Sequence, residues 1–165
     1  MDIAGSGYDY VPNDNEVDKC TIIRAVAIAP DGTSSSVITN SYFVGNDMAN
    51  KYKGATVASL VMDPNDLLDY NTGILALGAY YDEWRKTAEA KQILQSKAYW
   101  NYEGNYTQSG KDWERQATMD YIDPSTGNVE FSVPMGVRLH GGASRMYGQK
   151  SFKFYMREEY GQKNL

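Results

Sequence analysis

Strand-like alternation of apolar and polar positions recurs along this chain, and one stretch carries a helical period. Thr21-Ile22-Ile23-Arg24-Ala25-Val26-Ala27-Ile28 alternates its larger apolar groups, and Val37-Ile38-Thr39-Asn40-Ser41-Tyr42-Phe43-Val44 is a second β-rich run. Pro30-Asp31-Gly32-Thr33 between them is a turn signal, so the two runs read as a hairpin. A hairpin alone is marginal in water and has to pack on something else. Residues 1–20 are rich in Gly, Asp and Asn with little period, a loose lead-in, and residues 45–55 are polar and Gly-containing, as a linker would be.

Strand character returns at Val57–Met62 and stops at Asp63-Pro64; Asp63 to Gly73 reads as a loop and Ile74–Leu77 as a short strand. From Tyr81 to about Lys97 the helix formers Glu, Ala, Lys, Gln and Leu dominate, with Trp84, Ala88 and Leu94 near one face. Residues 99–112 form a polar aromatic loop. The last third reads as antiparallel strands at Glu114–Ile122, Val129–Ser132, Met135–His140 and Lys150–Arg157. In the last of these Phe152, Phe154 and Met156 share one face, expected to point inward with Val137 and Leu139, while Lys153, Tyr155 and Arg157 share the other. The expected class is α+β, mainly antiparallel sheet with one helix.

At 165 residues the chain suits one domain, or a small module joined to part of a larger one. That length buries roughly two thirds of the unfolded surface without needing disulfides or metals. The net charge of −5, with no basic stripe, argues against nucleic acid as a partner. No apolar run approaches the ~20 residues that span a bilayer, so a membrane partner is not expected either. Fourteen Tyr and three Trp stand out. Flat rings stack on sugar faces, and strands also favour Tyr for its half-buried fit. Cys20 is the single cysteine and reads as a small buried residue.

The sharpest local signal runs from Gly136 to Ser151: strand, small-residue loop, strand, with a Lys entering the second strand. Gly141 and Gly142 lack Cβ and let backbone N–H groups approach phosphate oxygens; Ser144 and Arg145 add donors, and Lys150 adds a point charge. The plainer alternative is a hairpin loop whose glycines serve only positive φ. The pattern is neither a P-loop nor G-x-G-x-x-G. Asp63 to Gly73 clusters oxygen ligands that suit Ca2+, and Asp69-Tyr-Asn71-Thr-Gly73 faintly echoes a calcium loop without the full EF-hand spacing or closing Glu; an Asx-turn loop bonding its own backbone is the preferred account, and no metal site is assigned. His140 has no Ser or Cys placed by sequence to pair with it. Glu114 and Arg115 beside Trp113 suggest a strand-edge ion pair, and Asn105-Tyr-Thr107 is a formal glycosylation sequon.

These same stretches resemble the CotH kinase family, in the form found in large secreted or surface proteins of clostridia-like bacteria. Val57–Ile74 resembles the segment that opens the family's domain and ends in a Thr-Gly-Ile turn. Asn105-Tyr-Thr-Gln-Ser-Gly-Lys-Asp-Trp-Glu-Arg115 is similar to its Asn-Tyr, Gly and Trp-Glu-Arg signature. Gly136-Val-Arg-Leu-His-Gly-Gly-Ala-Ser-Arg145, with Gln149-Lys-Ser-Phe152 and Glu159-Tyr-Gly161, is similar to its Gly-x-Arg-x-x-Gly-x-x-Ser-Arg and Lys-Ser motifs. Ahead of them, Thr21–Val44 resembles the closing hairpin of a chitobiase C-terminal-like β-sandwich. The expected organisation is therefore residues 1–45 as the end of an Ig-like sandwich and residues 46–165 as the N-lobe-like part of an atypical kinase fold.

The resemblance implies ATP and Mg2+ as cofactors, Ser phosphorylation of spore-coat or cell-surface proteins, and an extracellular, surface or coat location. It puts Gly141, Gly142, Ser144, Arg145 and Lys150 on the nucleotide side. The carboxylates that hold metal and orient the hydroxyl in phosphoryl transfer come beyond Leu165 in the family, so this chain alone is expected to be inactive. The rival expectation is a non-catalytic binding or adhesion module, with the aromatic loop Tyr99–Tyr106 stacking on glycans.

Overall fold

The computed structural model describes residues 20–43, 48–52, 55–123 and 125–161, and the fold is α+β with antiparallel sheets. The lead-in at 1–19 and parts of the expected linker, 45–47 and 53–54, lie outside the described residues; within that linker a short helix, α1, spans Met48–Lys51.

The expected hairpin forms. β1 (Thr21–Ala25) pairs antiparallel with β2 (Ile38–Tyr42), Thr21 opposite Tyr42. Asp31 Oδ1 accepts from Thr33 N at 2.9 Å and Thr33 Oγ1 at 2.7 Å, and Gly32 supplies the positive φ of 86° that the turn needs. A second sheet of four strands runs in sequence order: β3 (Val57–Met62), β4 (Arg115–Ile122), β5 (Val129–His140) and β6 (Ser151–Tyr155).

Register and pleat give this sheet two unlike faces. Ala117 lies opposite Met135 and Leu139 opposite Phe152, so Leu60, Met62, Ala117, Val133, Met135, Val137 and Leu139 share the apolar face. Ala117, Val133, Met135 and Val137 are buried there, and Leu139 joins Ile74, Tyr106 and Met146 in an adjoining cluster beneath the helical segments. The other face carries Ser59, Asp120, Ser132, Gly136, Arg138 and Lys153. The hairpin docks on this polar face. Asp120 is fully buried; its Oδ2 accepts from Ser41 N and its Oδ1 from Ser132 Oγ, both at 2.7 Å. Ser41 and Ser59 hydroxyls meet at 2.7 Å beside them.

Five details differ from the sequence expectation, the first being that the loop expected at Asp63–Gly73 holds a short helix. The single helix from Tyr81 to Lys97 is two, α3 (Gly78–Trp84) and α4 (Ala88–Ser96), after a short α2 at Pro64–Leu68. Thr87 makes the break: its backbone is extended at ψ 155°, and its hydroxyl accepts from Ala90 N at 3.1 Å as the N-cap of α4. Ile74–Leu77 is a turn, not a strand. The two strands expected at 129–132 and 135–140 are one, β5, running through Pro134; β6 pairs only from Gly136 onward, so at Pro134 the strand has a neighbour on one side alone. Finally, Phe152 and Met156 pack inward but Phe154 is 44% exposed, because β6 is an edge strand whose far end no described core cluster covers.

Candidate functional site

The turn between β5 and β6 begins with Gly141 at φ 114°, where a Cβ would also sit 2.2 Å from Ser144 Oγ; only glycine fits. A 3-10 turn, Ala143–Met146, follows and drives Met146 into the core. Arg145 then turns inward. Its Nη1 donates to Thr107 O at 2.8 Å and Gln108 O at 3.3 Å, tying the glycine loop to the aromatic loop, while its Nε is buried without a hydrogen-bond partner.

Between these loops lies a groove of about 580 Å³, within the usual range for ligand sites. Gly141, Gly142, Ala143 and Arg145 form one wall; Trp84, Trp100, Tyr102, Glu89, Asn101 and Glu103 form the other. Trp84 and Tyr102 pack at 5.6 Å between ring centres, and Tyr99 meets Trp100 edge-on at 5.1 Å, which fixes an indole that is 54% exposed. A Cβ at Gly142 would meet no other atom within 4 Å, so the loop is open on that side.

The five residues expected to hold nucleotide do not share this groove. Gly141, Gly142 and Arg145 line it; Ser144 folds back on Gly141. Lys150 Nζ donates to Tyr147 O at 2.8 Å and lies 5.7 Å from the Tyr106 ring centre, bordering a separate hollow with Leu75, Gly148 and Phe152. The 3-10 turn separates Arg145 from Lys150 although they are close in sequence.

The signature residues of the other stretches are structural. Of Trp113-Glu114-Arg115, Trp113 packs on the core, and Arg115 donates to Thr72 O at 2.7 Å through Nη2 and to Asp112 O at 2.8 Å through Nη1. The Glu114 side chain is 1% exposed and accepts from Arg157 Nε at 2.8 Å, Arg157 Nη2 at 3.1 Å and Tyr160 OH at 3.0 Å, with Arg138 Nε at 3.4 Å. The expected strand-edge pair is thus a buried cluster. Burial pushes the Glu114 carboxyl up, but the bonds from Arg157 and Tyr160 outweigh it and hold the group below its ordinary range. Burial and the bond to Glu114 push the Tyr160 phenol up to about 12. Gly136 makes room: its Cβ would stand 2.4 Å from Glu114 Oε1.

Asn105 is 1% exposed, its Nδ2 donating to Tyr70 O at 3.0 Å and its Oδ1 accepting from Tyr80 N, so the formal sequon carries no accessible acceptor. Asp69 Oδ1 accepts from Asn71 N, Thr72 N and Thr72 Oγ1, the local turn expected of that loop, and Asp63 caps α2 through Asn65 N. Among the described residues no three His, Cys, Asp or Glu side chains group as metal ligands. His140 is exposed and Cys20 is a free, half-buried thiol. Asp120 and Glu89 were not singled out by sequence; each reads as one more surface acid until the tertiary fold is known.

No protein-family model matches the chain, and no curated protein or solved structure matches it significantly.

Proposed function

We propose that this chain is the nucleotide-side portion of a CotH-like atypical protein kinase of a bacterial spore-coat or surface protein, and that it is inactive alone. The observation that carries the reading is the groove under the glycine loop, where Gly141, Gly142 and Arg145 face a wall of aromatic rings. Those residues fit a nucleotide in chemical type: glycines allow close approach of phosphate oxygens, the Arg145 guanidinium brings positive charge to the groove, and Trp100 offers a stacking plane for a base. ATP supplies the phosphoryl group in such a kinase. Phosphoryl transfer also needs carboxylates that hold Mg2+ and orient the hydroxyl; in the CotH-like family these come beyond Leu165, which is the basis for expecting no phosphotransfer here. Protein substrates would be Ser-bearing coat or surface proteins outside the cell.

A second reading, a glycan-binding module, is favoured by the opposite wall. Glu89 and Glu103 leave the groove with one more acid than base, and rings with carboxylates and an amide suit a neutral sugar better than a polyanion. An amide NMR titration with ATP and Mg2+ tests the first reading. Shifts are expected at Gly141, Gly142, Arg145 and the Trp84 and Trp100 indoles, weakening with salt and in Arg145→Gln. An ATP titration that leaves these resonances unmoved overturns it.

A further inference from the structure

The polar face of the β5–β6 pair carries an arrangement that the groove does not explain. Register puts His140 opposite Ser151, Arg138 opposite Lys153 and Gly136 opposite Tyr155. Leu139, on the other face of β5, packs with Met146, which lines the groove, so this ladder is on the far side of the sheet. Two cations directly across an antiparallel pair repel each other and destabilise it. Among the described residues ion pairs offset the repulsion only partly. Glu114 faces Arg138 and Arg157, one acid for two guanidinium groups, and Glu159 lies between Arg157 at 3.9 Å and Lys111 at 2.5 Å. No carboxylate of a described residue comes within salt-bridge distance of Lys153.

Tyr155 holds these cations together from below. Its ring centre lies 4.0 Å from the Arg138 guanidinium, 5.0 Å from that of Arg157 and 5.5 Å from Lys153 Nζ. Arg138 Nε is buried and has no hydrogen-bond partner; its 3.4 Å approach to Glu114 is a charge contact only. That end of the guanidinium faces Glu114, and the Arg138 side chain keeps 21% of its surface exposed. In a chain of net charge −5, a preorganised positive ladder with an open hydroxyl at Ser151 has the chemistry of an anion cradle.

We propose that Arg138, Lys153 and Ser151 form a binding site for a phosphate dianion, free or at the end of a small polyphosphate. Arg138 supplies a planar fork, Lys153 a point charge and Ser151 a neutral donor. The site is separate from the groove under the glycine loop and does not rest on the nucleotide reading.

The test is a 15N NMR titration of the full chain with inorganic phosphate and, separately, with tripolyphosphate, at constant ionic strength held with sodium chloride. Saturable shifts at Ser151, Lys153 and Arg138 are expected. A response to phosphate identifies one phosphoryl group as sufficient, and a response to tripolyphosphate alone identifies the polyphosphate. Lys153→Gln, an exposed change that leaves the fold intact, is expected to weaken binding about tenfold, and Lys153→Glu to abolish it. The proposal is overturned if neither anion gives saturable shifts on the ladder, or if affinity is the same in Lys153→Gln and Lys153→Glu as in the parent.

Discussion

Replacing Glu114 by Gln removes the one negative charge that Arg157 and Arg138 share, in a position where the carboxylate itself is 1% exposed. The variant keeps the shape but turns one acceptor oxygen into an amide donor aimed at a guanidinium. Breaking a fully buried ion pair costs about 3–5 kcal/mol. Here the arginine side chains are 21% and 36% exposed, so water recovers part of the loss and about 2–4 kcal/mol is the expected cost. For a chain of this size that lowers Tm by roughly 5–15 °C. The pH dependence carries a second signature. Glu114 has its folded pKa held low by Arg157 and Tyr160 against the upward push of burial. Its stabilisation is therefore complete above the unfolded pKa and is lost as pH falls through the lower folded value. Thermal melts of parent and variant should differ fully at pH 7 and converge below about pH 4. Equal Tm values at pH 7, or a gap that stays constant into acid, would refute the reasoning.

Two further substitutions probe the frame around the groove and the seam under the hairpin. Gly141→Ala, at φ 114° and with Ser144 Oγ in the way, should cost about 1–3 kcal/mol by chemical denaturation, and adding Ser144→Gly should recover only the steric share, leaving the backbone strain. Asp120→Ala strands the Ser41 N–H, whereas the exposed Ser132 hydroxyl keeps Thr39 O, so a loss of about 1–3 kcal/mol is expected, with hydrogen exchange accelerating at Ser41 before the centre of β5; exchange at Ser41 unchanged from the parent would show that the hairpin is held by other contacts.

Strands were legible in the sequence where one face is covered and the other is not. The β-rich run Val57–Met62 and the alternation in Ser151–Arg157 both mark strands, and Asp31-Gly32 names its own turn. The helix break was less visible because Thr87 is a weak signal inside a run of good helix formers, although a Thr directly before Ala-Glu-Ala is an N-cap pattern. Phe154 shows the limit of periodicity: it identifies the correct face but not whether anything lies over it. Sequence distance misled at the glycine loop, where one 3-10 turn sends Arg145 and Lys150 to different hollows. Asp120 and Glu114 were illegible as buried groups, since a polar residue in a strand usually faces water, and only the docked hairpin and the Arg157–Tyr160 segment remove them from it.

The most direct test of the nucleotide reading uses the groove's own indoles. Trp100 and Trp84 line it, while Trp113 packs elsewhere against Tyr80, so Trp113→Phe leaves fluorescence that reports on the groove. Titrating that variant with ATP and Mg2+, and in parallel with neutral oligosaccharides, puts the two ligand classes in competition for one site. The account predicts saturable quenching by nucleotide, weak because each lost contact worth 1.4 kcal/mol costs about tenfold in affinity, reduced by salt and by Arg145→Gln. Saturation by an oligosaccharide with no response to nucleotide would contradict it and assign the groove to a sugar.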